Sequence, residues 1–517
     1  MLNRTERAVR HLVGVLGFSL ATSYGLAVPD EAWNFIEPVI VPGVKSAMWR
    51  TNECVRLEQV KIVCESCTGQ ASVEDREWFA RAWERAFGFR PQISLEVQLS
   101  GLRALCEDEQ YSISAKPGEV RVHAATRQGF RHAFHTLRQI AIADRTGLTR
   151  QGWIMPGFQI SDKPSLKFRG LHICWFPEQD VVDIERTIRL AAYYKFNYVV
   201  LENWGVWRSE RHPWFGWADG KMTSSAVRHL VEIAADEGLT LVPQLNVLGH
   251  ASLSRVRTGN HATLDFAPEY EPLFEPYSGW NWCLSNPEAR RIIKELALEL
   301  HDLFGRPTYF HIGCDEGCPP TCPKCRANDY NELFSSLVKD LAETFQSRDA
   351  NVMMWHDMLI TKGDARFNGF YCNGDARAEQ LLDSLPRGVV VCDWYYGDAQ
   401  KAYPTLEYFI SKGHPTLTCP LLNPSGIAAQ GKYAREHGLL GYLGTTWAEM
   451  YGRNYPEVML SGAAAAWGAP RAPTWLNQDM TSPCNYHLRQ VGHDMGLRNR
   501  LYTGFDKEQM CSRPVTH

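Results

Sequence analysis

The chain lacks an excess of charge of either sign. Its 517 residues carry 54 Lys and Arg against 58 Asp and Glu, a formal net charge of −4. Neither nucleic acid nor an anionic membrane surface is therefore expected as its main partner. Beyond the N-terminal segment no apolar run is long enough to span a bilayer. No GxGxxG follows the first strand-like run of the main repeat, which argues against a doubly wound dinucleotide-binding sheet. No second CxxC accompanies Cys322 and Cys325 at finger-like spacing, so a disulfide or free thiols are expected of Cys318, Cys322 and Cys325 ahead of a zinc site.

Cysteine itself is plentiful. There are 15, an odd number, so at least one stays unpaired within the chain if all the others form disulfides. The N-terminus carries Arg4, Arg7 and Arg10, then an apolar run from Leu12 to Ala21 and small residues around Gly25 and Ala27. Residues 1–27 thus resemble a secretory signal peptide, which predicts a secreted or periplasmic protein. Glu6 suits the alternative, an amphipathic helix packed on the protein, which would leave it in the cytoplasm.

Residues 40–160 mix short β-type runs ("QVKIVCE", "ISLEVQL", "QYSISA", "EVRVHAA") with a helical pattern at "TRQGFRHAFHTLRQIAIA", as a small α/β domain would. From 161 to 470 apolar runs recur at "RGLHICW", "NYVVLENW", "TLVPQLN", "TYFHIG", "VMMWHD", "VVVCDW", "PTLTCP" and "YLGTTW". Helical segments with apolar residues three and four apart lie between them, one closed by Gly238. Eight strand–helix units predict a (β/α)8 TIM barrel preceded by the small α/β domain. Residues 471–517 have weak periodicity and are read as an extension without assigned role.

A barrel places its chemistry where strands end. Glu202, Asn246, Asp315, Glu316, Asp357, Asp393 and Glu449 fall there, together with Trp175, Trp204, Trp355, Trp394 and Trp447, drawn from the 17 tryptophans. Any one of these acids could be a solvated rim residue and any one tryptophan a core residue. Their joint recurrence at one end of successive strands favours a sugar site, because C–H faces pack on rings while hydroxyls bond to carboxylates. The adjacent Asp315 and Glu316 in "YFHIGCDEG" are the sharpest feature. Two neighbouring acids repel, which costs free energy unless the pair has work to do or a partner to neutralise it, and a bend at Gly313 or just after it is needed for both to face inward.

"HIGCDEG" resembles the H-x-G-x-D-E signature of glycoside hydrolase family 20, the β-N-acetylhexosaminidases. Arg169-Gly170, "LVPQLNVLGHAS", "LSNPEARRIIKELALELHDLF", Trp355 and the "WAE" of Trp447 and Glu449 follow in the family's order, and "HIGCDE" is similar to its hexosaminidase D branch. The resemblance implies an exo-acting β-N-acetylhexosaminidase acting on a terminal 2-acetamido sugar, N-acetylglucosamine or N-acetylgalactosamine. It implies retaining, substrate-assisted hydrolysis through an oxazolinium intermediate and no cofactor or catalytic metal. By the same resemblance Glu316 is the general acid and base, with a raised pKa. Asp315 orients the acetamido N–H, aided by Asp393. Arg169 and Glu449 bind hydroxyls, Trp355 and Trp447 wall the pocket, and His250 and His311 orient the acids. Departures fall at "ENWGVW", where Glu202 stands for a usual Asp, and at Gln244 and Asn246 in place of acids. Val391 stands where the family has its pocket tyrosine, which leaves Tyr395 or Tyr396 to supply that hydroxyl. Two rival readings are a metal-dependent barrel hydrolase using His172, His250 and His311, and a retaining β-glycosidase using Glu316 and Glu449. The lone His172, in place of an H-x-H pair, counts against the first. Oligomeric state is not legible.

Overall fold

A computed structural model describes residues 33–66, 73–97, 109–144, 152–177, 179–216, 222–252, 263–276, 279–421, 423–447 and 455–469. The N-terminal segment, Glu449 and the extension after 470 lie outside these residues. The chain divides between Lys163 and Pro164 into two compact units.

In the first unit the strands are β1 (Ser46–Arg56), β2 (Lys61–Ser66), β3 (Gln92–Val97), β4 (Tyr111–Lys116), β5 (Glu119–Ala124), β6 (Ile142–Ala143) and β7 (Trp153–Asp162). They form one mixed sheet in the order β1-β7-β4-β5-β2-β3, with β6 paired to β7. β4 and β5 alternate strictly between buried and less buried residues, the period of a sheet with one covered face. Helices Val73–Phe87 and Arg127–Ile140 pack together through Trp78, Phe79 and Phe134, with ring centroids 5.8 and 5.6 Å apart.

The second unit is a closed barrel of eight parallel strands. They are β8 (Phe168–Trp175), β9 (Tyr198–Asn203), β10 (Thr240–Gln244), β11 (Tyr309–His311), β12 (Asn351–Trp355), β13 (Val390–Tyr395), β14 (Thr416–Pro420) and β15 (Gly441–Gly444). Each coincides with one of the eight apolar runs. Amphipathic helices such as Ser224–Glu237 and Pro287–Leu303 bury their apolar faces between strands. Phe168, Val200, Val242, Met353, Trp355, Val390, Cys392, Trp394 and Leu443 form one buried cluster, and they share the inward parity of their strands. At the N-terminal end Phe168 stacks on Tyr198 at 4.2 Å and meets Tyr309 edge-on at 5.5 Å, which plugs that end. Access is left to the end where the βα loops start. Among the described residues no helix is long and apolar enough to cross a membrane.

Candidate active site

At that end a cavity of about 240 Å³ is lined by Glu202, Trp204, His250, Asp315, Glu316, Trp394, Tyr396 and Trp447. Three carboxylates, four aromatic rings and one histidine make up that lining.

The acid pair reaches the cavity through a tight bend. β11 ends at His311, and Gly313, Cys314 and Glu316 then take φ of 65°, 72° and 46°. A Cβ on Gly313 would lie 2.0 Å from Asn246 Oδ1, so only glycine fits there. Gly249 is under a similar constraint, since its Cβ would meet the Asp315 carbonyl oxygen at 2.3 Å. That close approach brings His250 against both acids.

His250 Nε2 stands 3.4 Å from Asp315 Oδ2 and 3.3 Å from Glu316 Oε2, an ion-pair contact with both carboxylates. Burial alone would depress the imidazolium, but the charge of Asp315 and the contacts with both acids outweigh it and raise the His250 pKa well above the usual value. Contact with His250 in turn lowers the pKa of Glu316, against the opposing effect of burial. The sequence predicted a raised Glu316 pKa. In the structure the opposite holds, because the Glu316 side chain is 49% exposed and faces a cation.

Glu316 is held by its backbone. Its N–H donates to Asp357 Oδ2 at 2.9 Å, and its carbonyl accepts from Trp280 Nε1 at 2.6 Å. Asp357 also accepts from Asn373 Nδ2 at 2.8 Å. Burial, then the nearby charge of Asp315, pushes the Asp357 pKa up to about 6. The sequence places Asp357 among the strand-end acids without a role, and it gives no sign of Trp280, which belongs to the long connection between β10 and β11.

Glu202 accepts from Asn246 Nδ2 at 2.8 Å and lies 3.0 Å from His172 Nε2. Burial opposes its ionisation, but His172 and Asn246 prevail and its pKa is lowered. His172, Cys174 and Glu202 could offer three donor atoms to a metal. The hydrogen bonds of Glu202 to His172 and Asn246 account for that grouping as a buried polar network.

Several predicted site residues lie elsewhere. Arg169 has the outward parity next to Phe168, at the plugged end. It is 1% exposed, donates from Nε to the Lys195 carbonyl at 3.0 Å and from Nη1 to the Leu166 carbonyl at 2.8 Å, and lies over Trp467. It is not among the residues that line the cavity. Asp393 and Tyr395 also face outward from β13. Asp393 lies 3.4 Å from His356, with its pKa raised by burial, and Tyr395 accepts from Gln400 Nε2 at 2.9 Å and stacks on Phe370. The inward residues of the same stretch, Trp394 and Tyr396, line the cavity, and Trp447 Nε1 donates to the Tyr396 hydroxyl. Trp355 does not line it. It is wholly buried behind Trp447, with ring centroids 5.2 Å apart, and packs on His311 at 4.4 Å. His311 is buried too. Its Nδ1 accepts from the Gly313 N–H at 3.1 Å, and burial followed by the charge of His172 pushes its pKa well down.

Residues 179–466 match the family description "Glycosyl hydrolase family 20, catalytic domain", and residues 37–163 match "Glycosyl hydrolase family 20, domain 2". A β-hexosaminidase of Vibrio furnissii is 25% identical over 412 residues, which cover 69% of this chain and 63% of the relative. A β-hexosaminidase of Porphyromonas gingivalis is 25% identical over 292 residues, covering 49% of this chain and 36% of the relative. The chain thus spans between about a third and two thirds of these relatives' length. Among solved structures, the exo-β-N-acetylglucosaminidase of Vibrio harveyi in complex with N-acetylglucosamine superposes with a TM-score of 0.66 at 15% identity, over 92% of this chain and 80% of that one, a likeness of fold. With its catalytic-domain match covering more than half of its length, the chain belongs to glycosyl hydrolase family 20.

Proposed function

We propose that the protein is an exo-acting β-N-acetylhexosaminidase that releases a terminal non-reducing N-acetylglucosamine or N-acetylgalactosamine with retention. The observation that carries this reading is the adjacent pair Asp315 and Glu316, both facing one aromatic-lined cavity of about 240 Å³. That volume suits a single sugar unit, and consecutive acids in one cavity can address different atoms of it.

In the proposed reaction Glu316 protonates the glycosidic oxygen while the substrate's acetamido oxygen attacks the anomeric carbon, giving an oxazolinium ion. Asp315 accepts the acetamido N–H and stabilises the positive charge that develops there. Water then attacks the anomeric carbon from the face the leaving group vacated, giving up its proton to Glu316. A substrate that fills the cavity removes water from the half-exposed Glu316, and that burial raises its pKa toward what a general acid needs. Trp204, Trp394 and Trp447 offer ring faces to the sugar, and Tyr396 offers a hydroxyl.

Comparing an aryl N-acetyl-β-glucosaminide with the matching aryl β-glucoside tests the reading. Turnover confined to the acetamido substrate supports it. Equal turnover of both contradicts it and favours a two-carboxylate glycosidase with Glu316 and Glu449. Export through residues 1–27 is a further part of the proposal, checked by sequencing the N-terminus of the mature protein.

A further inference from the structure

Behind the catalytic bend three thiols and one carboxylate point at a common centre. Cys283 Sγ lies 3.6 Å from Cys322 Sγ and 3.7 Å from Cys325 Sγ, and these three sulfurs and a Glu275 oxygen all fall within 4.8 Å of one another. We propose that Cys283, Cys322, Cys325 and Glu275 form a structural zinc site that clamps the β10–β11 connection to the loop carrying Glu316.

The spacing is that of a metal tetrahedron. Four ligands about 2.3 Å from zinc place sulfurs about 3.8 Å apart. A disulfide would require about 2.05 Å between sulfurs. Cys322 and Cys325 form a CxxC turn in which the Cys325 N–H donates to the Cys322 sulfur at 3.1 Å, a bond that favours a thiolate. The ligand that sequence spacing could not supply is Cys283, brought in from the other loop.

Glu275 points to the same centre independently. It is 4% exposed. Its Oε2 accepts from the Thr321 and Cys322 N–H groups at 2.6 and 2.7 Å, which fixes the side chain, while Oε1 is buried without a hydrogen-bond partner. A zinc ion at this centre would supply the buried carboxylate with a counter-charge. Ser285 and backbone bonds complete the surroundings, with Ser285 Oγ 3.1 Å from the Cys325 sulfur. A closed set of four protein ligands marks a structural site rather than a catalytic one.

The two segments that would be clamped already meet beside the acid pair. Trp280 donates to the Glu316 carbonyl, and Asn281 bonds the Cys318 backbone through both its oxygen and its nitrogen. Cys283 lies two residues beyond Asn281, and Cys322 and Cys325 lie four and seven beyond Cys318, so a metal there would hold that contact in register.

The test is metal analysis of the full chain purified under reducing conditions without added metal or chelator. About one zinc per chain after gel filtration is expected. Exchange into cobalt(II) should give the thiolate-to-cobalt charge-transfer band and the intense visible bands of a tetrahedral site. Cys283→Ser should abolish the charge-transfer intensity from that sulfur and release the metal, whereas Cys318→Ser, whose sulfur lies outside the cluster, should leave metal content unchanged. A wild-type protein without bound metal whose three thiols alkylate freely would overturn the proposal. So would a disulfide among them in the intact mass, or zinc retained in full by Cys283→Ser. None of these results bears on the acetamido specificity of the cavity, so either proposal can fail alone.

Discussion

One imidazole bridges both members of the acid pair, with His250 Nε2 3.4 Å from Asp315 and 3.3 Å from Glu316. The two carboxylates raise its pKa well above the usual value and so favour the imidazolium, which in turn lowers the Glu316 pKa.

A general acid must be protonated, so kcat/KM declines as pH rises through the pKa of Glu316. His250→Asn removes the cation, raises that pKa, and should move the alkaline limb to higher pH. A pH profile of the variant on an aryl N-acetyl-β-glucosaminide checks this, read from the position of the limb and not the height of the plateau. An alkaline limb that stays put, or moves down, would refute the coupling.

Arg169 should matter for folding and not for substrate. Arg169→Met leaves the Lys195 and Leu166 carbonyls without their donors, at a cost of roughly 2–4 kcal/mol. Chemical denaturation should report that loss while KM of the folded variant stays near the wild-type value. A large rise in KM at unchanged stability would return Arg169 to the sugar site.

Tyr395 and Tyr396 differ in parity, and their variants should differ accordingly. Tyr396→Phe removes a hydroxyl from the cavity and should lower kcat/KM by about ten- to a hundredfold. Tyr395→Phe removes a partner of Gln400 on the outer face and should leave kcat/KM within about twofold. Steady-state kinetics of the two proteins side by side decides, and the reverse ranking would count against the assignment.

Asp357 should weaken the fold as it ionises. Its pKa is raised from 3.8 to about 6 in the folded protein, so its contribution is full below about 4 and is lost as pH rises through about 6. Asp357→Asn is neutral throughout. The stability of wild type relative to the variant should therefore fall by about 3 kcal/mol between pH 4 and pH 8. Denaturation of both proteins across that range measures it, and a constant difference would show that Asp357 does not titrate there.

How much of this was legible in the chain depended on the scale of the feature. Eight apolar runs separated by helical periodicity were enough for the barrel, because strand existence needs only local pattern. Strand ends picked out Glu202, Asp315, Glu316 and Trp447, all of which line the cavity. What strand ends alone do not carry is parity. A shift of one residue along β13 exchanges Trp394 and Tyr396, which face inward, for Asp393 and Tyr395, which face the surrounding helices. Arg169 was misplaced for a related reason: it opens its strand, and the chemistry lies where strands close. Trp280, Cys283 and Glu275 reach their partners across loop folds that no periodicity encodes. The bend at Gly313 was foreseeable because adjacent acids cannot otherwise share a side, whereas its use of Asp357 as a backbone acceptor was not.

The most direct measurement replaces the acetyl hydrogens of an aryl N-acetyl-β-glucosaminide stepwise with fluorine. Each fluorine weakens the amide oxygen as a nucleophile while leaving the leaving group and ring hydroxyls unchanged. If the substrate's amide performs the displacement between Asp315 and Glu316, kcat/KM should fall steeply across the series. A rate indifferent to fluorination would mean that another group attacks the anomeric carbon, and the proposed roles of the two acids would fall with it.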